Sequence, residues 1–153
     1  MVSYYCNHYK NEIRTKRGEC MNATQRLAQK EIRPSMLRIA VLDHLMHTTA
    51  HPTIEEIYHT LHPKIPTLSK TSVYNITKLL TQHGLAKAIT IDEKQIRYDA
   101  DTSMHGHFLC ERCGRVIDFS LSGISDGALD GFNVHTKEVY YAGVCKDCLD
   151  DDK

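Results

Sequence analysis

Residues 105–118 read HGHFLCERCGRVID. Two histidines, His105 and His107, stand two residues apart. A C-x-x-C pair, Cys110 and Cys113, follows with Gly114 behind it, and Asp118 closes the stretch. A second C-x-x-C, Cys145 and Cys148, lies near the C-terminus. Two such pairs supply four thiolates, the ligand set of a closed tetrahedral Zn2+ site. The two-residue spacer lets the chain turn so that both sulfurs reach one ion. Residues 114–144 separate the pairs, more than the roughly 15–20 residues of a compact zinc ribbon. That length leaves room for a strand, a short helix and another strand. A structural zinc on Cys110, Cys113, Cys145 and Cys148 is the expectation. Disulfides or a redox C-x-x-C are the bland alternatives. A redox motif explains neither the second pair nor the neighbouring histidines.

Outward from the knuckle, strands are expected over 106–110 and 116–121. At most a turn or two of helix fits 124–129. A long strand over 132–144 would deliver Cys145, and residues 149–153, LDDDK, read as a solvated acidic tail. Exposed strand edges in this part invite dimerisation.

The N-terminal half reads differently. Residues 22–30 suit a short amphipathic helix with Leu27 and Ala28 as its apolar positions, and Arg33-Pro34-Ser35 punctuates the chain. Met36, Leu37, Ile39, Val41, Leu42, Leu45 and Met46 recur at helical spacing, so 35–47 is a helix. Thr53 can cap the next one, with Glu55 and Glu56 in its first turn where the dipole favours acids. Ile54, Ile57, Tyr58 and Leu61 form its face, and Pro63 and Pro66 end it. Ser69 caps a third helix with the stripe Val73, Ile76, Leu79 and Leu80, stopped at Gly84. Strands over 85–91 and 95–100 follow, joined by a turn at Asp92-Glu93. Three helices and a hairpin make a winged helix. Its third helix carries Lys70, Thr71, Ser72, Tyr74, Asn75 and Lys78 on the polar side, groups suited to phosphates and base edges. The bland reading is a solvated face.

Charge supports two modules. Residues 1–83 hold 11 Lys+Arg and 6 Asp+Glu, and residues 84–153 hold 8 and 13, so a net +5 half precedes a net −5 half. A basic half joined to an acidic one fits a nucleic-acid reader fused to something else. No apolar run approaches the roughly 20 residues of a membrane span, and no signal-peptide core opens the chain. Reduced, metal-bound cysteines and a cytoplasmic location are expected. The expected class is α+β. It comprises a disordered extension (1–21), a winged-helix DNA-binding domain (22–100), a hinge (101–103), a small α/β dimerisation and metal-binding domain (104–148) and the tail.

Side chains on a strand alternate with period two. His105 and His107 therefore share a side, with Asp118 on the next strand and Asp99 at the end of the wing. Two imidazoles plus carboxylates form a nitrogen/oxygen site suited to Fe2+, Mn2+ or Zn2+. Two surface histidines are the bland alternative.

Several motifs in one order resemble the ferric uptake regulator (Fur) family, and within it the peroxide-sensing PerR branch. They are His51-Pro52-Thr53, Ser72-Val73-Tyr74-Asn75, Arg97-Tyr98-Asp99, the stretch from His105 to Gly114, Val116-Ile117-Asp118-Phe119, and Gly143-Val144-Cys145 with Cys148. The resemblance covers roughly residues 25–148. It implies a homodimeric repressor of double-stranded operator DNA, not an enzyme. It also implies a regulatory Fe2+ or Mn2+ site made of His51, Asp99, His105, His107 and Asp118. His51 is supplied by the resemblance alone. Asp118 rather than Glu, and Asn75 after the tyrosine, resemble the peroxide-sensing branch. There, Fe2+ and peroxide lead to oxidation of a ligand histidine, His51 or His105 here, and to release of DNA. Three departures stand out. The segment between Phe119 and Phe132 is short. Lys137 and Ser125 stand where many members place ligands of an additional metal site. Residues 33–38 depart from the usual pattern, although Arg33 and Arg38 remain as candidate DNA contacts. The competing readings are a repressor sensing iron, manganese or zinc availability, and a zinc-dependent hydrolase or thiol oxidoreductase.

Overall fold

A computed structural model describes residues 20–92, 94–122 and 127–151. The proposed extension lies outside them except for Cys20 and Met21. The chain divides into two compact units between Ser103 and Met104.

The first unit is built on helices that start where capping side chains stand. Helix α1 (Ala23–Gln29) begins at Asn22, which forms a reciprocal capping box with Gln25. Its buried side is Ala23, Arg26 and Leu27, whereas Ala28, expected inside, is exposed. Ser35 caps α2 (Met36–Met46), which buries Val41, Leu42 and Leu45. Thr53 caps α3 (Ile54–Leu61): its N–H donates to Glu56 Oε2 at 2.7 Å and its Oγ1 accepts from Glu56 N at 3.2 Å. Ser69 caps α4 (Lys70–Gln82), and Gly84 stops it with φ of 65°, a left-handed backbone suited to glycine.

Leu27, Val41, Leu42, Ile57, Val73 and Leu80 are fully buried and form the centre of one apolar core. Strand β1 (Lys87–Ile89) pairs antiparallel with β2 (Arg97–Asp99). Both are shorter than expected. Leu85 N donates to Leu80 O at 2.8 Å, so Leu85 closes the helix and buries in its core instead of starting the strand. At the other end Gln95 N donates to Asp92 O in the turn; Glu93 lies outside the described residues.

The second unit is a three-stranded sheet in the order β4-β3-β5. Strand β3 (Gly106–Cys110) pairs antiparallel with β4 (Val116–Phe119) and parallel with β5 (Tyr140–Gly143). The long strand expected over 132–144 is thus confined to 140–143. The ladder runs only from His107↔Tyr140 to Cys110↔Gly143, because β3 itself is five residues long. The helix expected over 124–129 is a 3-10 turn at Gly127–Leu129, and residues 123–126 lie outside the described residues. The expected tail begins inside a helix. Cys145 is the N-cap of α5 (Lys146–Asp150), which contains Leu149 and Asp150 and carries Cys148 inward. Among the described residues no helix is long and apolar enough to cross a membrane.

Candidate metal centres

The first centre lies wholly in the second unit. Cys110 ends β3, and the chain turns back at once: Gly114 N donates to Cys110 O at 2.8 Å, with Gly114 at φ 72°. Cys145 and Cys148 arrive from the end of β5 and the first turns of α5. Cys110 Sγ lies 3.9 Å from Cys148 Sγ, and Cys113 Sγ lies 3.8 Å from Cys145 Sγ. Zn–S bonds of about 2.3 Å at tetrahedral angles place sulfurs about 3.8 Å apart. The four thiols therefore already have the spacing of a zinc cage, and none of them is in a disulfide. Cys20, outside both pairs, is disulfide-bonded.

The cage is electrostatically prepared. The backbone N–H groups of Cys113 and Cys145 donate to Cys110 Sγ and bring that thiol down to about 6. The Cys113 thiol is also held low, chiefly by the Arg115 guanidinium. Cys148, facing the Cys145 thiol and desolvated, is pushed up to about 12. Sequence reasoning missed the two arginines that brace the cage. Arg115 bonds Cys113 Sγ and Cys145 Sγ, and Arg112 Nη1 donates to Cys148 O at 2.6 Å. The available signal was two basic residues flanking Cys113.

The second unit also gathers a nitrogen/oxygen set. His107 lies on β3 opposite Asp118 on β4, and His105 immediately precedes the strand. His105 Nε2 and His107 Nε2 are 3.0 Å apart, and they lie 3.5 and 3.6 Å from Asp118 Oδ1. Both imidazoles are largely buried and the carboxylate is 40% exposed. Gly106 between them is demanded by packing: a Cβ there would overlap the Phe119 ring.

The first unit brings His51 and Asp99 together, with Nε2 and Oδ2 3.9 Å apart and both side chains buried. The segment around His51 is pinned to β2. Tyr98 N donates to Pro52 O at 3.0 Å, Arg97 Nη1 donates to His51 O at 3.3 Å, and Thr53 bridges Arg97. His51 itself takes φ of 49°. Asp99 Oδ1 accepts from Asp101 N at 2.8 Å, which aims the carboxylate.

On α4, Lys70, Thr71, Tyr74, Asn75 and Lys78 are exposed and Ser72 is half-buried. Lys70 is engaged, its Nζ 2.6 Å from Glu55 Oε1 and 5.5 Å from the Tyr58 ring centroid. Arg38 Nη1 donates to the carbonyl of exposed Arg33 at 2.7 Å. Lys137 is half-buried and Ser125 lies outside the described residues.

The Ferric uptake regulator family model matches residues 29–142. The chain is 35% identical over 137 residues to the "Peroxide operon regulator" of Bacillus subtilis (strain 168), covering 85% of this chain and 93% of that one. It is 32% identical over 146 residues to the "Peroxide-responsive repressor PerR" of Staphylococcus aureus (strain NCTC 8325 / PS 47), covering 91% and 97%. Among solved structures, "Ferric uptake regulator from Pseudomonas aeruginosa with manganese" superimposes with a TM-score of 0.67 at 20% identity, covering 82% of this chain and 99% of that one. "GAS PerR-Zn-Zn" does so with a TM-score of 0.50 at 27% identity, covering 91% and 95%. With this fold, these thiols and these donors, the chain belongs to the ferric uptake regulator family.

Proposed function

We propose that the protein is a metal-dependent transcriptional repressor that releases operator DNA when peroxide leads to oxidation of a ligand histidine. The observation that carries this reading is the convergence of His105 and His107 on Asp118. Two imidazoles and a carboxylate are hard-to-borderline donors suited to Fe2+ or Mn2+, whereas the four thiols suit zinc. In this reading His51 and Asp99 complete the regulatory ligand set, and the four-cysteine zinc holds the C-terminal unit together as the dimerisation domain. The peroxide-regulator names of the relatives support the signal. The role is regulatory rather than enzymatic, and a cytoplasmic homodimer is the working form.

When bound, Fe2+ would activate peroxide by redox chemistry, whereas Mn2+ would support repression without it. The chain's own residues do the rest. His51 and His105 present imidazoles to the oxidant, and one peroxide oxygen is added to a ring carbon as the other leaves as water, the ring being oxidised by two electrons and the peroxide reduced. An oxidised ring is a poorer donor, so the ligand set weakens. Because ligands come from both the DNA-binding domain and the dimerisation domain, ligand loss shifts the population away from the DNA-binding form. A shift from mostly open to mostly closed takes about 5.5 kcal/mol of differential binding, within reach of losing one or two ligands. In the bound form α4 enters the major groove with Lys70, Thr71, Ser72, Tyr74, Asn75 and Lys78, while Arg33, ahead of α2, and Arg38, on α2, add further DNA contacts.

The test is operator binding by the Fe2+ form before and after stoichiometric peroxide, beside the Mn2+ form, with mass spectrometry of the products. Release with iron only, with one oxygen on the peptide of His51 or His105, is expected. Release accompanied by oxygen only on cysteines or methionines would overturn histidine oxidation. No release at all would turn the reading toward metal availability.

A further inference from the structure

We propose that Arg115 is a positioning residue that shields the structural thiolates from electrophiles, Cys113 above all. The proposal rests on the zinc reading of the four cysteines. Cys113 is the exposed member of the set, while Cys110, Cys145 and Cys148 are buried. Arg115 reaches that open side. Its Nε donates to Cys113 Sγ at 3.4 Å and its Nη2 to Cys145 Sγ at 3.4 Å, one sulfur from each C-x-x-C pair. Asp147, in the first turn of α5, pairs with the same guanidinium through Nη2. Cys110 is served differently, by the backbone N–H groups of Cys113 and Cys145. Backbone donors thus cover the innermost sulfur, and one side chain covers the outer edge.

The physics follows from the donor count. Four thiolates on Zn2+ leave a net charge of −2, which makes the sulfurs strong nucleophiles toward any electrophile that can approach. A charged N–H donor draws density from the sulfur lone pair that would attack, and the guanidinium also occupies the approach. Groups behind the ligands commonly tune metal sites in this way. Two sulfurs bridged by one planar fork require arginine; lysine offers a point charge that cannot span both. The hazard is specific to a chain that meets peroxide. A thiolate attacks one peroxide oxygen, the S–O bond forms as the O–O bond breaks, and hydroxide leaves. The sulfur is oxidised by two electrons to a sulfenic acid and the peroxide is reduced. The ligand is then lost to zinc. A shielded cage leaves the histidines as the site of reaction.

The experiment uses zinc-loaded full-length protein. Zinc release into a chromophoric chelator is followed during exposure to hydrogen peroxide and, separately, to iodoacetamide, which forms an S–C bond and expels iodide. Mass spectrometry identifies the cysteine modified first. Arg115→Ala should release zinc about tenfold faster than wild type with both reagents, with Cys113 modified first. Arg115→Lys and Asp147→Asn should fall between, and they decide the matter if Arg115→Ala cannot be isolated with zinc. Rates within about twofold of wild type in these variants, or first modification at Cys110 or Cys148, would overturn the proposal. A wild type purified without stoichiometric zinc would overturn the zinc reading and this proposal with it. An unchanged rate in a zinc-loaded protein overturns this proposal alone.

Discussion

His107 and Asp118 are register partners across the β3–β4 ladder, with His107 Nε2 3.6 Å from Asp118 Oδ1. The same oxygen lies 3.5 Å from His105 Nε2, so one carboxylate on one strand addresses two imidazoles beside the next. Asp118→Asn keeps the shape and removes the charge. Mn2+ affinity by calorimetry should fall by about 10- to 100-fold, with zinc content and circular dichroism unchanged. Unaltered affinity would remove Asp118 from the ligand set.

Gly106 separates the two histidines because the Phe119 ring occupies the place of a side chain. Gly106→Ala should displace that ring, which also stacks on Tyr141 at 5.0 Å. Overpacking of this kind costs about 1–3 kcal/mol, readable as a lower denaturation midpoint of the C-terminal unit. Mn2+ binding should weaken as well, although neither histidine has been replaced.

Lys78 is exposed on α4, whereas Lys70 is held by Glu55. A lysine that meets a phosphate contributes about one unit to the salt dependence of DNA affinity. Lys78→Ala should lower the slope of log affinity against log salt by about 1. Lys70→Ala should lower it less, because its ammonium already has a carboxylate. Equal slopes for the two variants would show that the Glu55 pair opens on DNA.

The Lys70 ammonium, and His59 after it, hold the Glu55 carboxyl below its ordinary range. A carboxyl depressed in the folded state stabilises fully above its unfolded pKa of about 4.3 and loses that contribution as pH falls through the folded value. Glu55→Gln removes the titration. Urea midpoints measured down the acid limb should therefore fall more steeply for wild type than for the variant. Parallel limbs would mean that the pair adds nothing in solution.

Zinc binding to a thiolate cage is folding free energy. Cys110→Ser removes the innermost sulfur and should abolish stoichiometric zinc, the β-sheet signal of the C-terminal unit and the dimer. A folded, zinc-free dimer by light scattering would contradict the structural role of the cage.

Much of this arrangement could be read from local signals. Ser35, Thr53 and Ser69 mark three helix starts because a cap is a contact three residues long. The C-x-x-C pairs mark the cage because a four-thiolate zinc site calls for such spacing. His51 had no such signal. It meets Asp99 only because Pro52 and Thr53 hydrogen-bond and bridge to Tyr98 and Arg97, a pairing across the whole helical core. The strand expected over 132–144 failed for a related reason. Phe132 and Val134 have strand chemistry, but a strand extends only as far as its neighbour, and in this parallel ladder β3 does not begin until Gly106. Arg115 was legible only as a charge, since nothing local says which sulfur a guanidinium will reach.

At φ 49°, His51 sits where a residue with a side chain is strained by about 1–3 kcal/mol. Asparagine accepts that backbone more readily, although it would give up the imidazole that faces Asp99. A library of residue 51 selected only for heat resistance, in metal-free medium, should therefore drift away from histidine. The same library selected for repression should return to it. On the proposed regulatory role, residue 51 would work as a recorder: in any lineage of this chain, what stands there would tell whether regulation is still in use or only the fold has been kept.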